Sequence, residues 1–172
     1  MKQLILGGAR SGKSRLAEQR AEESGLAVVY IATAQVWDAE MAARVERHRA
    51  RRPAHWGLVE CPLALAATLA EQAAPGRCLL VDCLTLWLSN LLAAGDACLE
   101  QEKQALLERL PSLPGSLILV SNEVGEGIVP ANALARRFRD EAGWLHQTLA
   151  GLCDRVTFTV AGLPLELKEP PT

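Results

Sequence analysis

The sequence predicts an α/β fold, a largely parallel central sheet with helices on both faces. Three observations point there. Short apolar runs rich in β-branched residues alternate with helical periods along the whole chain. The 172 residues suffice for one α/β domain with a proper core and are too few for two ordinary ones. A glycine-rich loop stands between the first apolar run and the first helical period. Internal repeats, low-complexity segments and linkers are absent from the sequence, so residues 1–172 read as a single domain.

The elements follow in order. Residues 3–6 are a short apolar run ending at Gly7 and Gly8, a buried strand. The period turns helical from 13 to about 24, where Gly25 is a good stop. Residues 27–31 form a second strand, and 39–52 a helix with a strongly basic outer side, stopped by Pro53. A short strand at 58–60 precedes an Ala/Leu-rich helix at 63–74, ended by Pro75 and Gly76. Strand 78–81 leads to a helix at 84–92, and a further helix at 99–110 is broken by Pro111 and Pro114. Strand 117–120, a long helix at 133–152 and a last strand at 156–160 complete the set. The tail 168–172, with Pro170 and Pro171, reads as frayed.

Composition narrows the function classes. Eighteen Lys and Arg against twenty Asp and Glu leave a net charge of −2, which gives no general pull toward nucleic acid or an anionic membrane. The five cysteines (Cys61, Cys78, Cys83, Cys98 and Cys153) are odd in number and irregularly spaced, without a CxxC. That argues against a disulfide framework or a zinc site and for reduced thiols used as small hydrophobes. The N-terminus lacks the regions of a signal peptide, and no apolar run reaches the roughly 18 residues of a membrane span. The cytoplasm of a prokaryote is the expected home.

The chemistry starts at Gly7-Gly8-Ala9-Arg10-Ser11-Gly12-Lys13-Ser14, which fits GxxxxGK[ST] without a gap. Glycines let the backbone approach phosphate oxygens, and the loop amides with the helix N-terminus form an anion nest. Lys13 can reach the β- and γ-phosphates of a nucleoside triphosphate, and Ser14 can ligate Mg²⁺. A Walker-B acid should end an apolar strand, and Leu79-Leu80-Val81-Asp82 provides one. Asp82 either holds Mg²⁺, directly or through water, or caps the helix that follows. A third strand end runs into Ser121-Asn122-Glu123-Val124-Gly125. Strand C-termini in open parallel sheets face the ligand crevice, so Asn122 and Glu123 are candidates for substrate, metal or water contacts, with turn chemistry as the alternative.

The basic helix carries Arg44, Arg47, His48, Arg49, Arg51 and Arg52. Most of these arginines suit a solvated face. His48 shares a helical face with Met41 and Val45, which should point inward. It is either a hydrogen-bonded core residue or, beside a triphosphate, a nucleophile toward phosphorus, with flanking arginines to neutralise phosphate charge. His55 and His146 are weaker candidates.

Further blocks accompany these motifs: Tyr30-Ile31-Ala32-Thr33-Ala34, then Asp38 through His48, Arg52-Pro53-Ala54-His55-Trp56 and Glu60-Cys61-Pro62. Leu80-Val81-Asp82-Cys83-Leu84-Thr85, Asn90-Leu91-Leu92, Ser121 through Pro130 and Ala135 through Asp140 follow in order. With the phosphate loop they resemble the bifunctional adenosylcobinamide kinase / adenosylcobinamide-phosphate guanylyltransferase family, which assembles the nucleotide loop of cobalamin. The resemblance implies a RecA-like P-loop fold and two reactions. ATP or GTP phosphorylates the aminopropanol hydroxyl of adenosylcobinamide. GMP then passes from GTP to adenosylcobinamide phosphate through a guanylylated histidine, here His48, giving adenosylcobinamide-GDP. It also implies nucleotide contacts at Gly7 to Ser14, at Ala32, Thr33 and Ala34, at Arg49, Ala50, Arg51 and Arg52, and at Glu60 and Asp82. Mg²⁺ as cofactor and a homo-oligomer, a trimer with sites near subunit contacts, belong to the same implication.

Two other readings compete. A monofunctional P-loop small-molecule kinase would keep Lys13, Ser14 and Asp82 and have no use for His48 as nucleophile. A nucleotide-dependent switch with guanine specificity usually carries an Asn/Thr-Lys-x-Asp element after a strand, which Ser121-Asn122-Glu123-Val124 does not match.

Overall fold

The structure, a computed structural model, describes residues 1–35 and 53–170. The helix expected at 39–52 lies outside them. The described elements are β1 (Lys2–Gly7), α1 (Lys13–Glu23), β2 (Ala27–Ala32), β3 (Gly57–Glu60), α2 (Leu65–Gln72), β4 (Arg77–Asp82), α3 (Leu84–Ala94) and α4 (Asp96–Arg109). A 3₁₀ turn (Leu110–Ser112), β5 (Ser116–Asn122), α5 (Ala133–Leu152), β6 (Arg155–Val160) and β7 (Leu163–Lys168) follow. The sheet runs β3-β2-β4-β5-β1-β6-β7, with every neighbouring pair parallel except β6 and β7.

The inner strands are buried on both faces, as continuous apolar runs require. Alternation then sends each side chain to one of two cores. Leu4, Leu6, Leu79 and Val81 join the larger core, with Leu65, Trp87, Leu99 and Leu149 from the helices. Ile5, Cys78 and Leu80 join the smaller one, with Ala17 and Ala21 of α1, Tyr30 and Trp56. Small residues on the inner face of α1 let this polar helix lie close against the sheet. β5 lies between β1 and β4, so the phosphate-loop strand and the Asp82 strand are separated by the strand that ends in Ser121 and Asn122. All three carboxyl ends open on the same edge of the sheet.

The entry to β5 is narrow. Gly115 has φ +77, and a Cβ there would lie 2.2 Å from the Ala74 carbonyl oxygen and 2.6 Å from that of Arg77. Only glycine fits this close approach between the starts of β4 and β5.

The structure corrects the reading of the C-terminal tail. Lys168 ends a seventh strand rather than starting a frayed tail, and Glu169 and Pro170 follow it without regular structure. The strand returns through Ala161 and Gly162, both at positive φ, as a tight hairpin turn requires. It is held by polar partners instead of apolar burial. Glu166 ion-pairs with Arg20 and accepts a hydrogen bond from the Thr157 hydroxyl at 2.8 Å. Lys168 donates to the carbonyls of Ala150 and Gly151 at 3.1 Å.

Candidate active site

The phosphate loop is shaped as its residues require. Gly7 is buried, and a Cβ on it would meet the Ser11 hydroxyl at 2.5 Å and the Thr159 carbonyl at 2.7 Å. The loop closes on itself through Ser11 N–H donating to the Gly8 carbonyl at 3.3 Å, and α1 starts with Leu16 N–H donating to Gly12 at 3.0 Å. Gly162, in the turn before β7, donates to the Ser11 carbonyl at 2.9 Å and braces the loop from outside. Ala9 and Arg10 are exposed at its tip. The Ser11 hydroxyl is buried without a hydrogen-bond partner, an orphan that an incoming oxygen would satisfy.

Lys13 is only 8% exposed, and its ammonium donates to the Gly8 carbonyl at 3.1 Å. Burial pushes its pKa below the usual lysine value, while the nearby Asp82 carboxylate acts in the other direction. A cation held partly dry beside one acid is poised for the negative charge of a triphosphate. Ser14 follows on the first turn of α1, half-buried. Asp82 ends β4, also half-buried. The cap position of α3 is Cys83, with no side-chain capping bond, so the alternative role of Asp82 as helix cap is not taken up. Ser14 and Asp82 offer one hydroxyl and one carboxylate, a donor set that suits Mg²⁺ bound through few protein oxygens and the oxygens of phosphate. Among the described residues, no group of three His, Cys, Asp or Glu side chains could hold a metal alone.

Beside these, a polar strap ties the carboxyl ends of β2, β4 and β5 together. Thr33 is fully buried, and its hydroxyl donates to the Cys83 carbonyl at 2.7 Å and accepts from the Cys83 amide at 2.9 Å. Asn90 donates to the carbonyls of Thr33 at 2.8 Å and Pro62 at 3.0 Å. Asn122 donates to the Thr85 hydroxyl at 3.1 Å. The Thr33 side chain thus holds the edge in shape, while Ala32 and Ala34 flank it half-buried. Thr85 and Asn90 escaped sequence reasoning as site residues. Their signal was polar side chains on the largely apolar helix α3, where both are buried.

The remaining candidates separate clearly. Glu60 is exposed at the end of β3, on the far edge of the sheet, opposite Ala32 in register. His55 is exposed, 3.8 Å from the Glu22 carboxylate. His146 is buried on α5, with Nε2 2.7 Å from the Ser121 hydroxyl and Nδ1 3.6 Å from Glu123 Oε2. Its pKa is pushed down by burial, with the Glu123 carboxylate pulling it up. His48, Arg49, Ala50, Arg51 and Arg52 lie outside the described residues. All five thiols are free, and four of them are buried as expected of small hydrophobes.

Residues 3–167 match the family described as cobinamide kinase / cobinamide phosphate guanyltransferase. The bifunctional adenosylcobalamin biosynthesis protein CobP of Pseudomonas aeruginosa is 67% identical over 172 residues, which cover 99% of each chain. The bifunctional adenosylcobalamin biosynthesis protein CobU of Salmonella typhimurium is 41% identical over 179 aligned positions, covering 96% of this chain and 98% of that one. Among solved structures, the ATPase EscN of the enteropathogenic Escherichia coli type III secretion system aligns with TM-score 0.59 at 17% identity, over 92% of this chain and 41% of that one. The P4 protein of bacteriophage phi6 aligns with TM-score 0.52 at 13% identity, over 95% of this chain and 53% of that one. These structural likenesses show a shared P-loop NTPase fold, the one expected from the sequence.

Proposed function

The chain belongs to the cobinamide kinase / cobinamide phosphate guanyltransferase family, and from that premise we propose how its residues serve the two reactions. It is a bifunctional transferase of cobalamin biosynthesis, and nothing favours the monofunctional kinase. The observation that carries the assignment of residues is the phosphate cradle: a nearly buried Lys13 near Asp82, and an orphaned Ser11 hydroxyl in the same loop.

In this reading adenosylcobinamide is the first acceptor and ATP or GTP the donor. The amides from Gly7 to Ser14 wrap the phosphates, and Lys13 stabilises the charge that builds on the transferring group. Mg²⁺, held by Ser14 and Asp82, would supply charge neutralisation at the phosphates. Ala32, Thr33, Ala34, Glu60 and the segment Arg49, Ala50, Arg51 and Arg52 bound the nucleotide. Adenosylcobinamide phosphate is the second acceptor, and His48 carries GMP between GTP and that phosphate. Residues 1–172 act as one domain, as one sheet holding every described strand favours.

Incubation with GTP labelled at the α-phosphate tests the covalent step. The expected product carries a label stable to alkali, lost in acid, and located in the peptide containing His48. An unlabelled but active enzyme, or a label elsewhere, would overturn the assignment.

The protein is read as a homo-oligomer, with a trimer expected from the resemblance. In support, Ile128 is 98% exposed, and Val129, Leu134, Leu163, Leu165 and Leu167 are exposed large apolar side chains suited to a second copy. Sedimentation equilibrium should give a mass of several protomers, and a monomer at micromolar concentration would refute it. Among the described residues no helix is long and apolar enough to cross a membrane. Five free thiols favour a reducing compartment, the cytoplasm, and recovery of the native protein with disulfides would count against it.

A further inference from the structure

We propose that Glu123 is the base that takes the proton of the acceptor hydroxyl in the kinase reaction, and that His146 is the residue that positions it. The inference rests on the placement of the triphosphate over the loop at Gly7 to Ser14.

Glu123 stands one residue past β5, and its backbone N–H donates to the Gly7 carbonyl at 3.0 Å. This ties the residue to the entrance of the phosphate loop. Its carboxylate is held from two sides. Oε1 accepts the Gly125 N–H at 2.5 Å, and Oε2 faces His146 Nδ1 at 3.6 Å. His146 is fixed by burial on α5 and by Ser121, 2.7 Å from its other nitrogen. Burial favours the neutral ring, which has one N–H to give. The Ser121 hydroxyl can donate to Nε2, which leaves the hydrogen on Nδ1, turned toward the carboxylate. Nδ1 is a buried polar atom without a hydrogen-bond partner, and Glu123 is the group it faces. Its 3.6 Å separation from Oε2 is too long for a hydrogen bond in this state, and contacts of this kind tighten when substrate binds.

Other carboxylates at this edge are poorly placed for the role. Asp82 lies near the Lys13 ammonium and is suited to metal, and Glu60 sits on the far edge strand. In the step itself, the Glu123 carboxylate accepts the hydroxyl proton as the hydroxyl oxygen forms its bond to the γ-phosphorus. The bond from the γ-phosphorus to the bridging oxygen breaks and the nucleoside diphosphate leaves with that electron pair. The products are cobinamide phosphate, nucleoside diphosphate and a protonated Glu123, which returns its proton to solvent. Guanylyl transfer, which passes through His48, also differs at its final acceptor. That acceptor is a phosphate oxygen that is already ionised, so the step onto it needs no base at Glu123.

That asymmetry gives the test. Phosphorylation of cobinamide and transfer of GMP from GTP to cobinamide phosphate are measured separately for wild type, Glu123→Gln, His146→Leu and His146→Asn. For Glu123→Gln the kinase kcat should fall about 10²-fold with KM for cobinamide little changed, while GMP transfer stays within about threefold. His146→Leu should lower the kinase kcat by about tenfold, and His146→Asn, which restores an N–H donor, should recover most of it. A Glu123→Gln enzyme with a near-normal kinase kcat, or one losing both activities together, would overturn the proposal. Wild-type protein lacking both activities would instead overturn the functional reading beneath it.

Discussion

Replacing Lys13 with methionine is expected to lower phosphoryl transfer about 10³-fold, close to 4 kcal/mol of barrier, and to leave the fold at least as stable as before. Both halves follow from one observation. The ammonium is nearly buried, with a single hydrogen bond to the Gly8 carbonyl and the Asp82 carboxylate nearby. Those partners do not make up for lost water, since the pKa lies below the usual value of 10.5. A lysine whose folded pKa is lowered opposes folding wherever it is charged, at every pH below that folded value. The penalty fades as pH rises from there toward 10.5, where the unfolded chain also loses the proton. Methionine removes the penalty wherever the ammonium is charged, while keeping the apolar stem. Function repays the cost, because a triphosphate supplies the negative charge the free site lacks. Steady-state kinase assays at saturating nucleotide and thermal melts of the free protein check the two halves. A kinase rate within tenfold of wild type, or a melting point several degrees lower, would show that Lys13 serves the fold instead.

Much of this architecture was legible in the sequence because local signals and tertiary packing agree. Residues 133–152 form α5 as read, since its N-cap Asn132 accepts the Ala135 N–H at 3.1 Å and its inner face carries Ala142, Leu145 and Leu149. Differences arise where tertiary contacts decide. The helix expected at 63–74 is Leu65–Gln72, and the Leu63 carbonyl accepts both the Leu65 N–H and the Trp87 indole at its start. The helix expected at 99–110 begins at Asp96, since Gly95 at φ +108 ends α3 and starts α4 without a loop. β7 was missed because its alternating leucines face solvent, and its main ion-pair partner, Arg20, lies on the first helix.

The site divides along the same line. Phosphate loops are contiguous, so spacing alone finds Gly7 to Ser14. His146 has no such signal. Ser121 and Glu123 are far from it in sequence, and only the packing of α5 on the end of β5 brings the three together.

Trp87→Ala is expected to cost about 3–5 kcal/mol for the cavity it leaves in the larger core. Trp87 is fully buried there with Leu65, Leu69, Leu88 and Leu99. Its indole N–H also donates to the Leu63 carbonyl at 2.7 Å, and losing that bond costs about 0.5–1.5 kcal/mol more, the carbonyl keeping the Leu65 N–H as its other partner. Domains of this size hold only about 5–15 kcal/mol in total, and each kcal/mol moves the melting point by about 2–4 °C. A fall of roughly 10 °C or more should follow. Trp87→Phe keeps most of the volume and loses the donor, so it should fall between the two. An alanine variant melting within about 3 °C of wild type would mean that α3 is not anchored by this residue. The same helix carries Thr85 and Asn90, which hold the edges of the crevice. Damage at Trp87 should therefore weaken nucleotide binding, and saturating triphosphate should restore part of the lost melting temperature by binding the folded form alone.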